Sequence, residues 1–407
     1  MNTAVASDEL SPPPVYLLML LMSFASLIAV LITPALPDIS EAFQLESSHS
    51  TWLVTVYLIG YALGQLPYGP LSNRYGRKKA ALAGLGVALL GSLIQPIAIA
   101  ENSFSLLVFA RAIIAFGGAC GPVIALTVLS DCYDEQNSRK KLSTLFLAFA
   151  LMPCIAIAIG GFLTSHYGWQ STLYIASIYI VAILIAIYIQ LNETLPASQY
   201  KQIQLSGSLT GVMKVLTSPS YFTFTLLATA GTATSYIFTS LSPFISINIL
   251  NINPQDFGLL SIITSVGLLI GSYLSNKASL IYCGRRVLTL GVTILLISSI
   301  ILFVFFSINT INIYSLFIPA FFLFIGVALI LPNATTLAIS CIENKASGAG
   351  LMSASNLLLT GICVSVSGNY AESSIMALPT AVLTISLTCL AILMYRAIRK
   401  NLSFLPR

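Results

Sequence analysis

One arginine stands inside an otherwise uncharged apolar run: Arg111, in Phe104-Ser105-Leu106-Leu107-Val108-Phe109-Ala110-Arg111-Ala112-Ile113-Ile114. A guanidinium keeps its proton and carries only donors, so in hydrocarbon it must find acceptors. Facing lipid it costs about 2.5–3.5 kcal/mol on insertion scales. It is therefore expected to face a cavity and to pair with carbonyls, water or an anionic ligand. The alternative is snorkelling of its long stem to the nearer surface. A second constellation is Tyr57, Tyr61, Gln65 and Tyr68, whose i, i+4, i+8, i+11 spacing puts them on one helical face. Tyrosine offers both a π-face and a hydroxyl, which suits an amphipathic ligand. Tyr57, Tyr61 and Gln65 read as cavity lining or as packing, and Tyr68, at the end of its run, as an interfacial aromatic. Further along, Thr232, Ser235, Tyr236, Asn333 and Asn356 are the polar side chains within apolar runs. They suit substrate contact and interhelical hydrogen bonding equally. No Asp or Glu falls inside any of these runs, His49 and His166 are far apart, and the seven cysteines form no Cys-x-x-Cys pair. No catalytic set, metal site or disulfide framework is expected, and an enzyme is disfavoured.

The elements that position these residues follow from composition. Of 407 residues, 57% are hydrophobic and 8% charged, against about 25% charged in a soluble domain. The expected solvent is lipid. The net charge of +5 lies in short turns and implies no nucleic-acid partner. Runs of about 20 apolar residues mark membrane helices. Twelve are read, near 15–36, 51–72, 80–100, 104–130, 142–163, 170–190, 220–246, 257–277, 287–307, 314–340, 348–368 and 376–396. The first is too long for a signal peptide and lacks a basic segment before it.

Charge fixes the orientation. Numbering turns from a cytoplasmic N-terminus, Arg74, Arg77, Lys78 and Lys79 follow the second run, and Arg139, Lys140 and Lys141 the fourth. Lys201 and Lys214 follow the sixth, Lys277, Arg285 and Arg286 the eighth, Lys345 the tenth, and Arg396, Arg399, Lys400 and Arg407 the twelfth. All fall on one side. The opposite turns hold only acids: Asp38, Glu41, Glu46, Glu101, Asp256 and Glu372. Positive charge marks the cytoplasmic side, so both termini are expected there. Residues 191–219 form the longest polar stretch and divide the chain into a six-helix bundle over 1–190 and another over 220–407. The second half echoes the first at the matching turn, with Gly271, Asn276, Lys277 and then Gly284-Arg285-Arg286. The expected architecture is all-α: twelve transmembrane helices in two pseudo-symmetric six-helix bundles, with a site near the midplane between them.

Gly69-Pro70-Leu71-Ser72-Asn73-Arg74-Tyr75-Gly76-Arg77-Lys78 resembles the major facilitator superfamily signature between helices 2 and 3. Leu107 to Arg111 followed by Gly117-Gly118-Ala119 resembles the family's helix 4 motif, and Pro153 with Gly160-Gly161 its helix 5 antiporter motif without the central Gly-Pro pair. Thr33-Pro34-Ala35-Leu36-Pro37, Gly64-Gln65-Leu66-Pro67-Tyr68-Gly69-Pro70 and Asn192-Glu193-Thr194-Leu195 are similar to the drug:proton antiporter branch, bicyclomycin/chloramphenicol-resistance type. The resemblance implies a bacterial inner-membrane secondary transporter, monomeric, without cofactor and driven by the proton gradient. Its substrate would be a small molecule. It further implies a gating role for Gly69, Asn73, Arg74, Gly76, Arg77 and Lys78, and close helix contact at Pro153, Gly160 and Gly161. Asn73 stands where the family has Asp, which predicts a weaker lock. With Arg111 and no acid, the cavity is expected to be net positive and to favour neutral or anionic substrates over cationic ones. The leading expectation is proton-coupled efflux of small neutral or anionic organic molecules. The alternative is transport, including uptake, of an endogenous anionic metabolite such as a polycarboxylate or siderophore; a receptor or scaffold would normally carry a soluble domain.

Overall fold

A computed structural model describes residues 12–133, 135–195, 218–341, 345–371 and 374–402. These form twelve helical rods: α1 (Val15–Ala42, with a 3-10 turn at Thr33–Ala35), α2 (Ser47–Tyr75), α3 (Arg77–Ala100), α4 (Phe104–Cys132), α5 (Glu135–Tyr167) and α6 (Gln170–Gln190), then α7 (Pro219–Pro243, continued by a π-turn at Phe244–Ile249), α8 (Pro254–Ile281), α9 (Gly284–Ser307), α10 (Ile313–Ile339), α11 (Lys345–Ala371) and α12 (Ala377–Leu402). Most of the linker, residues 196–217, lies outside the described residues, as do Lys201 and Lys214.

The rods overrun the apolar runs that mark them. α2 extends from 47 to 75 and α5 from 135 to 167. The expectation that no acid lies in a helix is therefore corrected: Asp38, Asp131 and Asp256 sit in terminal turns. Among the described residues, nine rods are long and apolar enough to cross a membrane; α2, α5 and α7 are not in that set, and the described part of α5 contributes the shorter apolar piece Leu151–Tyr167. Those three rods make most of the contacts between the halves, so part of their surface faces protein instead of lipid and can carry polar groups. Buried hydroxyls mostly return to their own helix, as Thr234 donates to the Ala230 carbonyl at 2.8 Å and Thr164 to the Gly160 carbonyl at 2.7 Å. In hydrocarbon this satisfies a donor without leaving the rod.

The two halves repeat one packing scheme. In the first, Gly60 and Gly64 of α2 lie against the carbonyls of Ala112 and Phe116 on α4. In the second, Gly267 and Gly271 of α8 lie against those of Phe321 and Ile325 on α10. Both pairs are four residues apart, and both let parallel backbones approach closely, which is how membrane helices gain contact without a hydrophobic driving force.

One end of the bundle carries Arg74, Arg77, Lys78, Lys79, Arg285 and Arg286; the other carries Asp38, Glu41, Glu101 and Asp256. The halves meet through α2 with α11 and α5 with α8. The contacts concentrate at the acidic end. A side chain at Gly161 would strike the Pro254 carbonyl, one at Gly368 would strike Thr51, and a Cβ at Gly361 would lie 3.4 Å from the Thr55 carbonyl. At the basic ends of α2 and α11, Gly69 and Gly350 have open space beside them. Among the described residues the seam between the halves is shut at the acidic end, and Gly69 and Gly350 make no such close crossing at the other. At the shut end, where α7 and its π-turn meet the end of α1, the hydroxyls of Ser40, Ser240, Ser242 and Ser246 are buried with no hydrogen-bond partner among the described residues.

Candidate functional site

α1 ends as an α-helix at Leu31 because Pro34 brings no N–H to the Val30 carbonyl. The Thr33 hydroxyl donates to that carbonyl instead, at 2.8 Å. Arg111 on α4 points at the last α-helical turns of α1 before this break. Its two terminal nitrogens donate to the carbonyls of Ile28 at 3.2 Å and Ala29 at 3.3 Å. Its guanidinium carbon lies 4.5 Å from the centroid of the Tyr57 ring, a cation–π arrangement worth about 2 kcal/mol when desolvated. The Tyr57 hydroxyl donates to the Ala25 carbonyl at 2.9 Å. Arg111 is 1% exposed, and its Nε has no hydrogen-bond partner. The carbonyl pairing expected for Arg111 is present. The bare positive cavity is not, because the charge is sheathed by the α1 carbonyls and the Tyr57 ring.

Tyr61, one turn on, bonds the Gln65 side chain and lies within electrostatic reach of Tyr236 on α7, as does Tyr57. This joins the two halves: the α2 stripe and the α7 tyrosine face each other. Thr232 sits one turn before Tyr236 on the same face. It accepts a hydrogen bond from the Asn356 amide at 3.1 Å, and the Asn356 oxygen lies 3.4 Å from the Thr360 hydroxyl. Gln65, Tyr236, Thr232 and Asn356 are all half-buried on this seam. Arg111, Tyr57, Tyr61, Gln65 and Tyr236 thus form one polar group, and the Thr232–Asn356 pair of α7 and α11 lies one turn from Tyr236.

Asn333 does not join it. Its amide donates to Ser275 at 3.0 Å and to the Leu329 carbonyl at 2.9 Å, and it lies toward the basic end, beside Gly284. It pins α8 to α10 within one half. Ser235 bonds back to the Gly231 carbonyl at 3.2 Å. Tyr68 is not an interfacial aromatic: it is 2% exposed and packs on Phe116, 6.1 Å between ring centroids. Pro153 lies within α5, and Gly160 and Gly161 of the same rod approach Leu31 of α1 and Pro254 of α8.

The basic turn is braced from two sides. Gly76, at φ 97°, makes the sharp corner, and the Glu193 carboxylate fills the space its missing Cβ leaves. Glu193 accepts from the backbone N–H groups of Arg77 at 2.7 Å and Lys78 at 3.2 Å, capping the positive start of α3. Arg77 is buried. Its Nε donates to Asp131 at 2.8 Å, and one terminal nitrogen donates to the Ser72 carbonyl and the Asn73 side-chain oxygen, both at 2.9 Å. The Thr194 hydroxyl donates to the same Asp131 carboxylate at 3.0 Å. Asn73 still binds Arg77, and the ion pair falls to Asp131 on α4. Reading the sequence missed Asp131. Its signal was an acid in the last turn of a helix, where the macrodipole disfavours it without a cation. Arg74 and Lys79 are exposed, and Lys78 lies 5.6 Å from the Tyr188 ring centroid.

Among the described residues no group of three His, Cys, Asp or Glu could hold a metal. The model of the Major Facilitator Superfamily matches residues 18–396. Among curated relatives, Multidrug resistance protein D of Escherichia coli (strain K12) is 22% identical over 83% of this chain and 83% of its own length. A Bicyclomycin resistance protein homolog of Haemophilus influenzae is 22% identical over 60% of this chain and 61% of its own. Among solved structures, a bacterial homolog of the human lysosomal transporter Spinster, inward-facing and unoccupied, superposes with a TM-score of 0.68 at 15% identity, covering 94% of each chain.

Proposed function

The chain belongs to the Major Facilitator Superfamily, and from that premise we propose that it exports small neutral or anionic organic molecules by proton-coupled alternating access. That it is a multi-pass membrane transporter and not an enzyme follows from the family match and the relatives. The finer reading rests on one observation. The polar set on the seam contains one full charge, Arg111, and no carboxylate among the described residues. A lipophilic cation entering there finds aromatic faces but no carboxylate, and pays a desolvation penalty that a neutral amphiphile escapes and that the nearby Arg111 charge lowers for an anion. Tyr61, Gln65, Tyr236, Thr232 and Asn356 supply donors and acceptors for the polar part of such a molecule.

Export is supported by the names of the relatives, which speak of drug resistance. The proton gradient as energy source rests on analogy with the antiporter branch. The proposed location is the bacterial inner membrane, with the basic end and both termini cytoplasmic, as the charge bias indicates. The test is flux in reconstituted vesicles under an imposed pH gradient, comparing a lipophilic cation, a neutral amphiphile and an organic anion. Gradient-dependent movement of the neutral or anionic probe against the proton flow supports the proposal. Transport of the cation alone overturns the substrate class. Anion movement in the same direction as protons favours the second reading, uptake of an anionic metabolite.

A further inference from the structure

A cavity of about 410 Å³ opens on the flank of α9 at the basic end of the molecule, lined by Arg285, Arg286, Thr289, Leu290 and Thr293. We propose that it holds the headgroup of an anionic phospholipid, with an acyl chain laid along the same face of α9. The site is separate from the polar seam and does not depend on its assignment.

The cations come from two rods. Arg396 of α12 lies close enough to Arg285 for their charges to repel. α12 packs along α9, tied by the Ser299–Ser386 hydroxyl contact at 2.7 Å. Arg396 is held in place by the Phe224 ring of α7, 4.2 Å from its guanidinium carbon to the centroid. Among the described residues the ion pair present is Arg77–Asp131, and none involves Arg285, Arg286 or Arg396. Two guanidiniums line the opening, with the Arg396 charge near Arg285 behind them, and at membrane-surface level they call for an anion; phosphate fits their forked donors. The threonines do not compete for it: Thr289 donates to the Arg285 carbonyl at 2.9 Å and Thr293 to the Thr289 carbonyl at 3.0 Å.

The occupant is an amphiphile because the cavity continues as an apolar strip. Arg286, Leu290, Thr293, Ile297, Ile301 and Val304 recur on one helical face. Leu290, Ile297, Ile301 and Val304 are 51%, 53%, 43% and 46% exposed. A free phosphate uses only the arginines and leaves this strip unused. A lipid uses both.

The test titrates the full-length protein in detergent with phosphatidylglycerol or phosphatidylcholine and counts bound lipid by native mass spectrometry. Phosphatidylglycerol is expected to be retained over phosphatidylcholine. Each arginine removed should weaken it about fivefold, so the Arg285→Gln/Arg286→Gln pair loses more than Arg396→Gln alone. Lys79→Gln, at the same end on the other half, is expected to leave retention unchanged. Leu290→Gln, which keeps every charge, should also weaken retention; it serves where the double variant fails to fold, as judged by helical circular dichroism. Equal retention by wild type and arginine variants overturns the proposal. So does equal retention of the two lipids, or stoichiometric displacement of phosphatidylglycerol by millimolar inorganic phosphate, which would mark a simple anion site.

Discussion

The guanidinium of Arg111 rests over the ring of Tyr57, and both side chains reach the backbone of the same helix, Arg111 at Ile28 and Ala29, Tyr57 at Ala25. The pair therefore couples α4 and α2 to the last turns of the α-helical part of α1. Arg111→Lys keeps the charge but loses the fork that reaches two carbonyls and the planar stack. Transport is expected to fall at least about tenfold, a loss of roughly 1.4 kcal/mol, with normal membrane insertion. Initial rates in vesicles check this, and unchanged rates refute a role in binding or coupling.

Tyr57→Phe retains the ring and deletes one buried hydrogen bond, worth about 1 kcal/mol. The stack over Arg111 survives. The expected result is a thermal midpoint lowered by a few degrees and a smaller transport defect than that of Arg111→Lys. A defect as large would place the function in the hydroxyl and not in the stack.

Asp131→Asn leaves the buried Arg77 cation without its carboxylate. Breaking a buried pair costs about 3–5 kcal/mol, and here less because Asp131 is 20% exposed. Thermal stability should drop measurably. Asn73→Asp places a new carboxylate at a position that already bonds Arg77 at 2.9 Å. The Asn73→Asp/Asp131→Asn double variant is therefore expected to recover most of the loss. Strict additivity of the two changes in a melting experiment would show that the positions do not share Arg77.

Much of this was legible in the sequence, and the limits are physical. The rods follow from apolar length, and the bundle's two ends from the positions of Lys and Arg, because lipid imposes both rules locally. Arg111 announced itself because a charge in hydrocarbon must be explained. Asp131 did not, since its partner Arg77 is 54 residues away and only the packing of α3 beside α4 brings them together. Asn333 and Asn356 look alike in sequence. Both bond within the second half, Asn333 to Ser275 on α8 and Asn356 to Thr232 on α7, pairings that only helix packing reveals.

Gly161 makes a tight crossing of the seam at the acidic end, against the backbone of Pro254 and Gly258. Gly161→Val should force α5 from α8 there. A single cysteine in place of Ser246, buried in the shut end, is then expected to react faster with a membrane-impermeant maleimide than in the parent. Transport should be lost. No gain in reactivity would mean that the rods separate by another route.

Cys283 is fully exposed in the turn before α9, and hydrogen bonding to it from the Arg286 and Arg285 backbone holds its thiol below the ordinary value, aided by their positive charges. The thiolate is the reactive form, so alkylation should rise with pH through an inflection below that of a free cysteine. An impermeant maleimide is expected to label it from the cytoplasmic side only. Labelling from outside intact cells would invert the orientation.

The four unpartnered hydroxyls at the acidic end, Ser40, Ser240, Ser242 and Ser246, bear on how the molecule turns over. Each hydroxyl withdrawn from water without a new bond forfeits about 1–3 kcal/mol. The shut seam gains van der Waals contact from glycines but carries this debt, and water cancels it when the seam parts. The closure is thus self-limiting, like a latch held against a weak spring. Among the described residues no ion pair crosses that seam, so parting it breaks packing contacts and no salt bridge.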